Sequence, residues 1–331
     1  MHSGEKYSHN IDENLLSKPF VSVIIVTCNP RWDLLEWALD SLENQTLLKD
    51  FFELIVVDNN SNPPLSEAHL QKNRLLDMRL IKESRSGITY ARCAGIEEAK
   101  SDLLVFVDDD NHLDPDYLEL AIDIAKQKDL GAFSGVARAV FETPVRPWQE
   151  KLLHHLGVRD NGAYPITSYE PRWGKWDPIG AGMVLRRVIG MSFVEFLEKD
   201  PFANILGRRG NLLMSGEDTL IARIANQMGY ACSYQPALKL SHFMKKQRMT
   251  FKVLARTVEG HGRAYVLLRQ ILGNPVKRPN LFVTSGSLLA RLLYRVVVMG
   301  PIAGIIEWFR DWGYFMQARK IYEGVDGREK Y

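Results

Sequence analysis

Apolar positions along this chain follow two alternating rhythms through its first third. Phe20 to Val26 is a run dominated by valine and isoleucine, which predicts a strand buried on both faces. Residues 31–47 then place Trp32, Leu35, Leu39 and Leu42 on one side at helical spacing. The signals repeat. Phe52 to Val57 reads as a second buried strand, Met78 to Ile81 as a short third, Thr89 to Lys100 as a helix and Leu103 to Val107 as a fourth strand. Asp114-Pro115 predicts an N-cap with proline at the first helical position, opening a helix through Lys126. This βαβαβ order implies an α/β fold with a mostly parallel sheet flanked by helices.

Residues 132–238 lose the rhythm and are rich in Gly, Pro and Trp. Within them, a helix is expected from Glu217 to Met228, closed by Gly229, and Ala237 to Leu240 is strand-like. From Thr250 onward the pattern is mainly helical. Between Leu281 and Phe309 the apolar stretches are interrupted by Arg291, Arg295 and Pro301. No run reaches the roughly 18 apolar residues of a transmembrane helix. An amphipathic helical hairpin lying in a membrane surface is one reading of this segment, and a helical pair packed on the body or on a second copy is the other.

Composition sharpens that choice. A hydrophobic content of 46% with 25% charged residues excludes global disorder. The net charge of +2 hides an asymmetry, because residues 1–238 carry 25 Lys+Arg against 34 Asp+Glu while residues 239–331 carry 17 against 6. A basic tail calls for an anionic partner. No zinc-finger, RRM or KH pattern points to nucleic acid, and basic residues interleaved with apolar stretches fit an anionic membrane surface. Cys28, Cys93 and Cys232 form no paired framework, so free thiols in a reducing compartment are expected. Met1 to Lys18 contains no apolar core of a secretory signal.

The chemistry gathers at strand ends, where open α/β sheets collect ligands. Asp108, Asp109 and Asp110 follow the fourth strand directly. Adjacent carboxylates repel unless neutralised, and hard oxygen donors suit Mg²⁺ or Mn²⁺ bridging a substrate's phosphates. Asp58 closes the second strand, either to accept from a base or ribose or to form an Asx-turn with Asn59 and Asn60. Arg92 offers a guanidinium fork to a diphosphate, or a surface ion pair. Ser215-Gly216-Glu217-Asp218 precedes an apolar-periodic helix, as a capping box or as a source of the base that deprotonates an acceptor hydroxyl. His242 is a ligand or a phosphate contact if it is not structural.

With these residues placed, the chain resembles the large inverting family-two glycosyltransferases of GT-A fold over roughly residues 19–245. The resemblance is carried by Val21 to Asn29, Glu53 to Ser61, Ala91 to Gly95, Val105 to Asp110, Gly180-Ala181-Gly182 and Gly216-Glu217-Asp218. It implies that Thr27, Asn29 and Asp58 line a nucleoside site and that Arg92 sits near the ribose or diphosphate. Asp108 and Asp110 match the family's DxD motif, with Asp109 between them, Asp110 as metal ligand and His242 near the metal or diphosphate. Asp218 matches the catalytic base, while Glu217 and Gly180, Ala181 and Gly182 border the acceptor. Trp173 and Trp176 are either a sugar-stacking platform or packing anchors. The family's tyrosine after Thr27 is Cys28 here, which weakens the case for a UDP-sugar, and Cys93 stands where asparagine is usual.

The resemblance divides the chain into a tail (1–18), a nucleotide-sugar-binding half (19–130), an acceptor-binding half of the same domain (131–245) and a basic helical extension (246–331). It implies metal-dependent inverting transfer from a nucleoside-diphosphate sugar to a glycan or lipid-linked acceptor. The setting is surface-polysaccharide synthesis by a cytoplasmic protein on the inner membrane face, with the C-terminal helices open to homo-oligomer formation. The alternative is a catalytically inactive nucleotide-sugar-binding or scaffold protein. A nucleotidylyltransferase or dehydrogenase would want a glycine-rich loop after the first strand, and Thr27-Cys28-Asn29-Pro30-Arg31 is not one.

Overall fold

Valine and isoleucine at alternate positions of the first strand serve two different cores. In β1 (Val21–Thr27), Val21, Val23 and Ile25 face one apolar cluster and Ile24 the other. The structure, a computed structural model, describes residues 19–72, 74–200, 205–210, 213–279 and 281–323, without the side chains of 281–285. The expected N-terminal tail, residues 1–18, lies outside them.

After β1 come α1 (Trp32–Glu43), β2 (Phe52–Asp58), the single turn α2 (Glu67–Leu70), β3 (Met78–Lys82), α3 (Ile88–Glu98), β4 (Leu103–Asp108) and β5 (Asn111–Leu113). The middle of the chain contributes α4 (Tyr117–Ala125), β6 (Leu130–Phe141), the single turn α5 (Pro147–Glu150), β7 (Ile166–Ser168), β8 (Val184–Arg186) and α6 (Arg187–Lys199). The rest comprises α7 (Glu217–Gln227), β9 (Ala231–Met244), α8 (Phe251–Ile271), α9 (Leu281–Met299) and α10 (Pro301–Tyr322).

All nine strands join one sheet in the order β3-β2-β1-β4-β8-β6-β9-β5, with β7 paired to β9. The first four strands are parallel, as expected. Beyond β4 the sheet is mixed, because β8 runs antiparallel to both β4 and β6 while β6 and β9 are parallel. The sheet therefore continues across residue 130. Helices α1 and α4 cover one face through Leu35, Leu39, Leu118 and Ala121, and α3, α6 and α7 cover the other through Ile96, Phe193 and Leu220.

Two local expectations are corrected. Asp114 does not cap a helix: α4 begins at Tyr117 after Asp116, and the Asp114 carboxylate pairs with Arg138. No capping box forms at Ser215 either. Gly216 precedes α7 without a side-chain cap, and Asp218 Oδ1 accepts from the Thr219 N–H at 2.7 Å.

The C-terminal helices divide between the packed and the open reading. Helix α10 packs chiefly against α8, with α9 along its other side. The arginines that interrupt the apolar pattern of α9 turn toward α10. Arg291 and Arg295 each meet Asp311 at 2.8 Å, and Arg295 also meets Glu307 at 3.1 Å. Leu289, Leu293, Tyr294, Val297 and Val298 consequently face outward, 59–83% exposed. No described helix is long and apolar enough to cross a membrane.

A polar cluster fastens α8 and α10 to the turn at residues 153–156. His155 Nε2 lies 2.6 Å from Glu307 Oε2, and its Nδ1 lies 3.0 Å from His261 Nδ1. Burial, with His155 and Arg208 nearby, pushes His261 down to about 3. The unfolded chain, with an ordinary histidine near 6.5, therefore takes up a proton that the folded chain refuses. This contribution to stability is complete above about pH 6.5 and is lost as pH falls toward about 3. Urea unfolding at pH 5 should show the protein about 2 kcal/mol less stable than at pH 7.5 from this group alone. The His261→Asn variant should lose that part of the dependence; an unchanged pH slope would remove His261 as its source.

Candidate active site

Parallel pairing delivers the ends of three strands to one rim. Thr27 stands beside Asp58 in the register of β1 and β2, and Val26 stands beside Asp108 in that of β1 and β4. Side-chain hydrogen bonds then join the loops beyond. The Asn29 N–H donates to Ser61 Oγ and the Asn62 N–H to Asn29 Oδ1, both at 2.8 Å. Asn29 takes a left-handed backbone (φ 51°), which asparagine tolerates well. The Asn59 amide oxygen accepts from the Gly87 N–H at 2.7 Å, tying the β2 loop to the start of α3.

Asp58 shapes this frame. Its two carboxylate oxygens accept from the N–H groups of Ser61 and Leu65 at 3.0 and 2.9 Å, and the side chain is buried. Asp58 thus shapes the loop beyond β2 through Ser61 and Leu65. Thr27 is likewise engaged, donating its hydroxyl to Asp109 Oδ2 at 2.6 Å.

The aspartates behave as three different groups. Asp108 is half-buried, with Oδ1 3.7 Å from Arg92. Burial and the neighbouring Asp110 push Asp109 up to about 6, with Lys245 and Thr27 pulling the other way. Burial also opposes the charge on Asp110, but His242, Arg248 and Lys245 overcome it and hold that carboxyl well below the usual range. Asp110 Oδ1 lies 3.3 Å from His242 Nε2, while Oδ2 lies 3.4 Å from Lys245 Nζ and 3.5 Å from Arg248 Nη1.

Asp110, in the turn between β4 and β5, meets His242 of β9 through the pairing of Asn111 with His242. Two ligands each about 2.1 Å from one octahedral ion stand about 3 Å apart, so this pair fits a shared divalent cation. The three aspartates do not converge as one ligand set. Among the described residues, only His154, His155 and Glu307 bring three ligand atoms within 4.8 Å. Glu307 there already pairs with Arg295 and Arg310, which fits a structural cluster. Two protein ligands leave coordination positions for water and phosphate oxygens, the usual habit of Mg²⁺ and Mn²⁺.

Arg92 corrects the expectation of a donor-facing guanidinium. It is 2% exposed, lies over the Phe106 ring, and bridges Glu217 Oε1 at 3.1 Å and Asp108 Oδ1 at 3.7 Å. Gly180 supports it from the other side, where a Cβ would approach Arg92 Nη2 to 2.5 Å. Burial pushes the Glu217 carboxyl up against the pull of Arg92, and Glu217 Oε2 is buried with no hydrogen-bond partner. Gly182 contributes its carbonyl to the Tyr117 hydroxyl at 2.5 Å, and Ala181 lies in the apolar core. Asp218, half-buried beside Glu217, remains accessible.

The two tryptophans part company. Trp173 is 76% exposed, whereas Trp176 packs against the core with Arg172 over its ring. Sequence reasoning missed Arg208, Lys245 and Arg248. Burial pushes the Arg208 charge down, with Arg248 beside it and Asp108, Glu217 and Asp110 opposing that push. The visible signal was the basic run Lys245-Lys246-Gln247-Arg248 just after His242.

Removing one partner of a buried charge pair strands the other, at a typical cost of about 3–5 kcal/mol. Arg92→Ala should destabilise the fold by that order in denaturant unfolding, since two carboxylates lose their counter-ion. A loss within experimental error would show that solvent reaches Glu217 freely.

Comparison with known proteins follows the same outline. The description "Glycosyl transferase family 2" matches residues 22–190. The glycosyltransferase AglE of Haloferax volcanii is 33% identical over 106 residues, 31% of this chain and 34% of that protein. EpsH of Bacillus subtilis, also named a glycosyltransferase, is 29% identical over 107 residues, 31% and 30% of the two chains. The chain thus matches about a third of the length of these relatives. The mannosyltransferase PcManGT of Pyrobaculum calidifontis, solved with GDP-Man and Mn²⁺, is similar in fold with a TM-score of 0.51. It is 18% identical, covering 95% of this chain and 77% of that one. The expected GT-A architecture holds, and by the family match this chain belongs to glycosyl transferase family 2.

Proposed function

We propose that the protein transfers a sugar, with inversion, from a nucleoside diphosphate to a hydroxyl of a glycan or lipid-linked acceptor. The observation that carries this reading is the convergence of Asp108, Asp110, His242, Arg92 and Glu217 at one rim of the sheet, with Asp218 at the head of α7. Residues 19–130 supply the donor half and residues 131–245 the acceptor half. Asn29, with Thr27 and Asp58 behind it, forms the floor under the nucleoside. Cys28 replaces the family's tyrosine, so a UDP-sugar is favoured only by the family pattern; PcManGT was solved with GDP-Man.

Asp110 and His242 hold a divalent ion, Mg²⁺ or Mn²⁺, and the presence of Mn²⁺ in PcManGT supports that reading. When bound, the ion supplies positive charge where the leaving diphosphate develops negative charge. Asp108, beside Arg92, borders the diphosphate with Asp109. Asp218 accepts the acceptor's proton as its oxygen attacks the anomeric carbon and the bond to the diphosphate breaks. Gly180, Ala181, Gly182, Trp176 and Glu217 shape the acceptor side. Asp218→Asn should abolish transfer, measured as glycosylated product, while leaving the affinity for nucleoside diphosphate nearly unchanged. Wild-type turnover in that variant would eliminate Asp218 as base. Transfer absent from the wild type with every nucleotide-sugar tried would favour the inactive binding protein.

The exposed apolar stripe of α9 supports a reading in which the acceptor side works at the inner face of a cell membrane. The arginines of α9 pair inward with Asp311 and Glu307 while Leu289, Leu293, Tyr294, Val297 and Val298 face out. Exposed apolar stripes of this kind mark interaction surfaces. No acidic residue lies between Leu281 and Ile306, and Lys151 donates to the Met299 carbonyl at 2.9 Å beside the stripe. An anionic lipid surface matches that chemistry. The protein should cosediment with phosphatidylglycerol-containing vesicles, less so at high salt, and Leu293→Glu with Val297→Glu should abolish binding. A protein that ignores vesicles but forms a dimer broken by the same substitutions would assign the stripe to a second copy.

A further inference from the structure

The place where a cation fits beside Asp110 is contested by two cations of the chain itself. Arg248 Nη1 lies 2.9 Å from His242 Nε2 and 3.5 Å from Asp110 Oδ2. Lys245 Nζ lies 3.4 Å from that same oxygen and 3.8 Å from Asp109 Oδ1. The guanidinium thus lies against both atoms that a divalent ion would take.

Charge forbids simple coexistence. A divalent ion at Asp110 and His242 would sit within a few ångströms of an ammonium and a guanidinium, all in a buried setting where screening is weak. Both side chains belong to the turn between β9 and α8. Both are partly exposed, at 25% for Lys245 and 18% for Arg248. Long, partly exposed side chains can move off without breaking the core. A diphosphate gives them somewhere to go, because its oxygens accept from both groups and also ligate the ion.

We propose that Lys245 and Arg248 form a cationic latch, parked on Asp110 and His242 in the free protein and transferred to the donor's diphosphate as the ion enters. The proposal rests on the donor and metal reading above and adds an order to it. The free protein resists the ion, and a nucleoside diphosphate lifts that resistance by drawing the two cations away. The pair therefore positions the leaving group and screens the vacant carboxylates between turnovers.

The latch makes a prediction of opposite signs. The double variant Lys245→Met with Arg248→Gln should bind Mn²⁺ more tightly than wild type without nucleotide, by roughly tenfold, the scale of an ordinary coupling between ligands. The same variant should bind UDP or GDP more weakly, by a similar factor, when titrated in EDTA. Mn²⁺ is read by the loss of its free EPR signal and the nucleotides by calorimetry. Lys246→Met, on the exposed neighbour of the pair, should leave both affinities at wild-type values. Each single substitution, tested alongside, should move both affinities in the same directions by less. Weaker nucleotide binding with unchanged Mn²⁺ affinity would overturn the latch and leave plain phosphate contacts. Reduced affinity for both ligands would overturn it as well, reducing the pair to structural support. Failure of the wild type to bind either nucleotide or Mn²⁺ would remove the donor reading itself.

Discussion

Carboxylates crowd one rim of this sheet, and cations of the same chain meet them there. Asp108 and Glu217 reach the rim from opposite halves of the domain, and Arg92 sits between them at 2% exposure. An arginine stays charged at any depth, so it can serve as a fixed counter-ion where a lysine would be prone to shed its proton. Burying such a group is costly unless its partners are well placed. Its position is therefore fixed from every side: Phe106 beneath, Gly180 leaving room beside it, and carboxylates on both arms. This one side chain ties the end of β4 to the head of α7.

That arrangement explains why the role of Arg92 was misread from sequence while its importance was visible. A motif places an arginine near carboxylates in a chain, but its depth depends on α7 arriving from more than a hundred residues away. Asp58 teaches the same lesson at shorter range. Its place at a strand end was legible from the Val/Ile run, and the choice between binding a ligand and shaping a turn depended on Ser61 and Leu65 turning their N–H groups inward. The parallel strands β1, β2 and β4 were legible because each is a short apolar run buried on both faces, and the partly exposed edge strand β3 from its brief apolar stretch.

Strand β6 was not legible and β9 only in its stretch from Ala237 to Leu240, although they are the longest in the sheet. In β6 Gly131 and Gly135 dilute the apolar pattern, and the burial changes from continuous to alternating along its length. At Gly135 a Cβ would fall 1.9 Å from the Leu238 carbonyl, and there the register with β9 shifts. The glycine that looks like a breaker in sequence is what allows the two strands to approach. In β9, Gln235-Pro236 interrupts a run that tertiary pairing restores on both sides. The cost of reading β9 short was functional, since the turn beyond its far end carries Lys245 and Arg248.

The C-terminal helices extend the same electrostatic logic away from the site. Along α9, Asp311 and Glu307 on α10 hold Arg295 largely inside the hairpin, while Arg291, 61% exposed, reaches Asp311 from its edge. Leu289 and Leu293 lie on the far face of the helix from both arginines and so turn outward. Glu307 also holds His155 and so fastens the hairpin to the body. The apolar stripe of α9 is thus carried on a hairpin whose other helix is fastened to the body, rather than trailing on a linker.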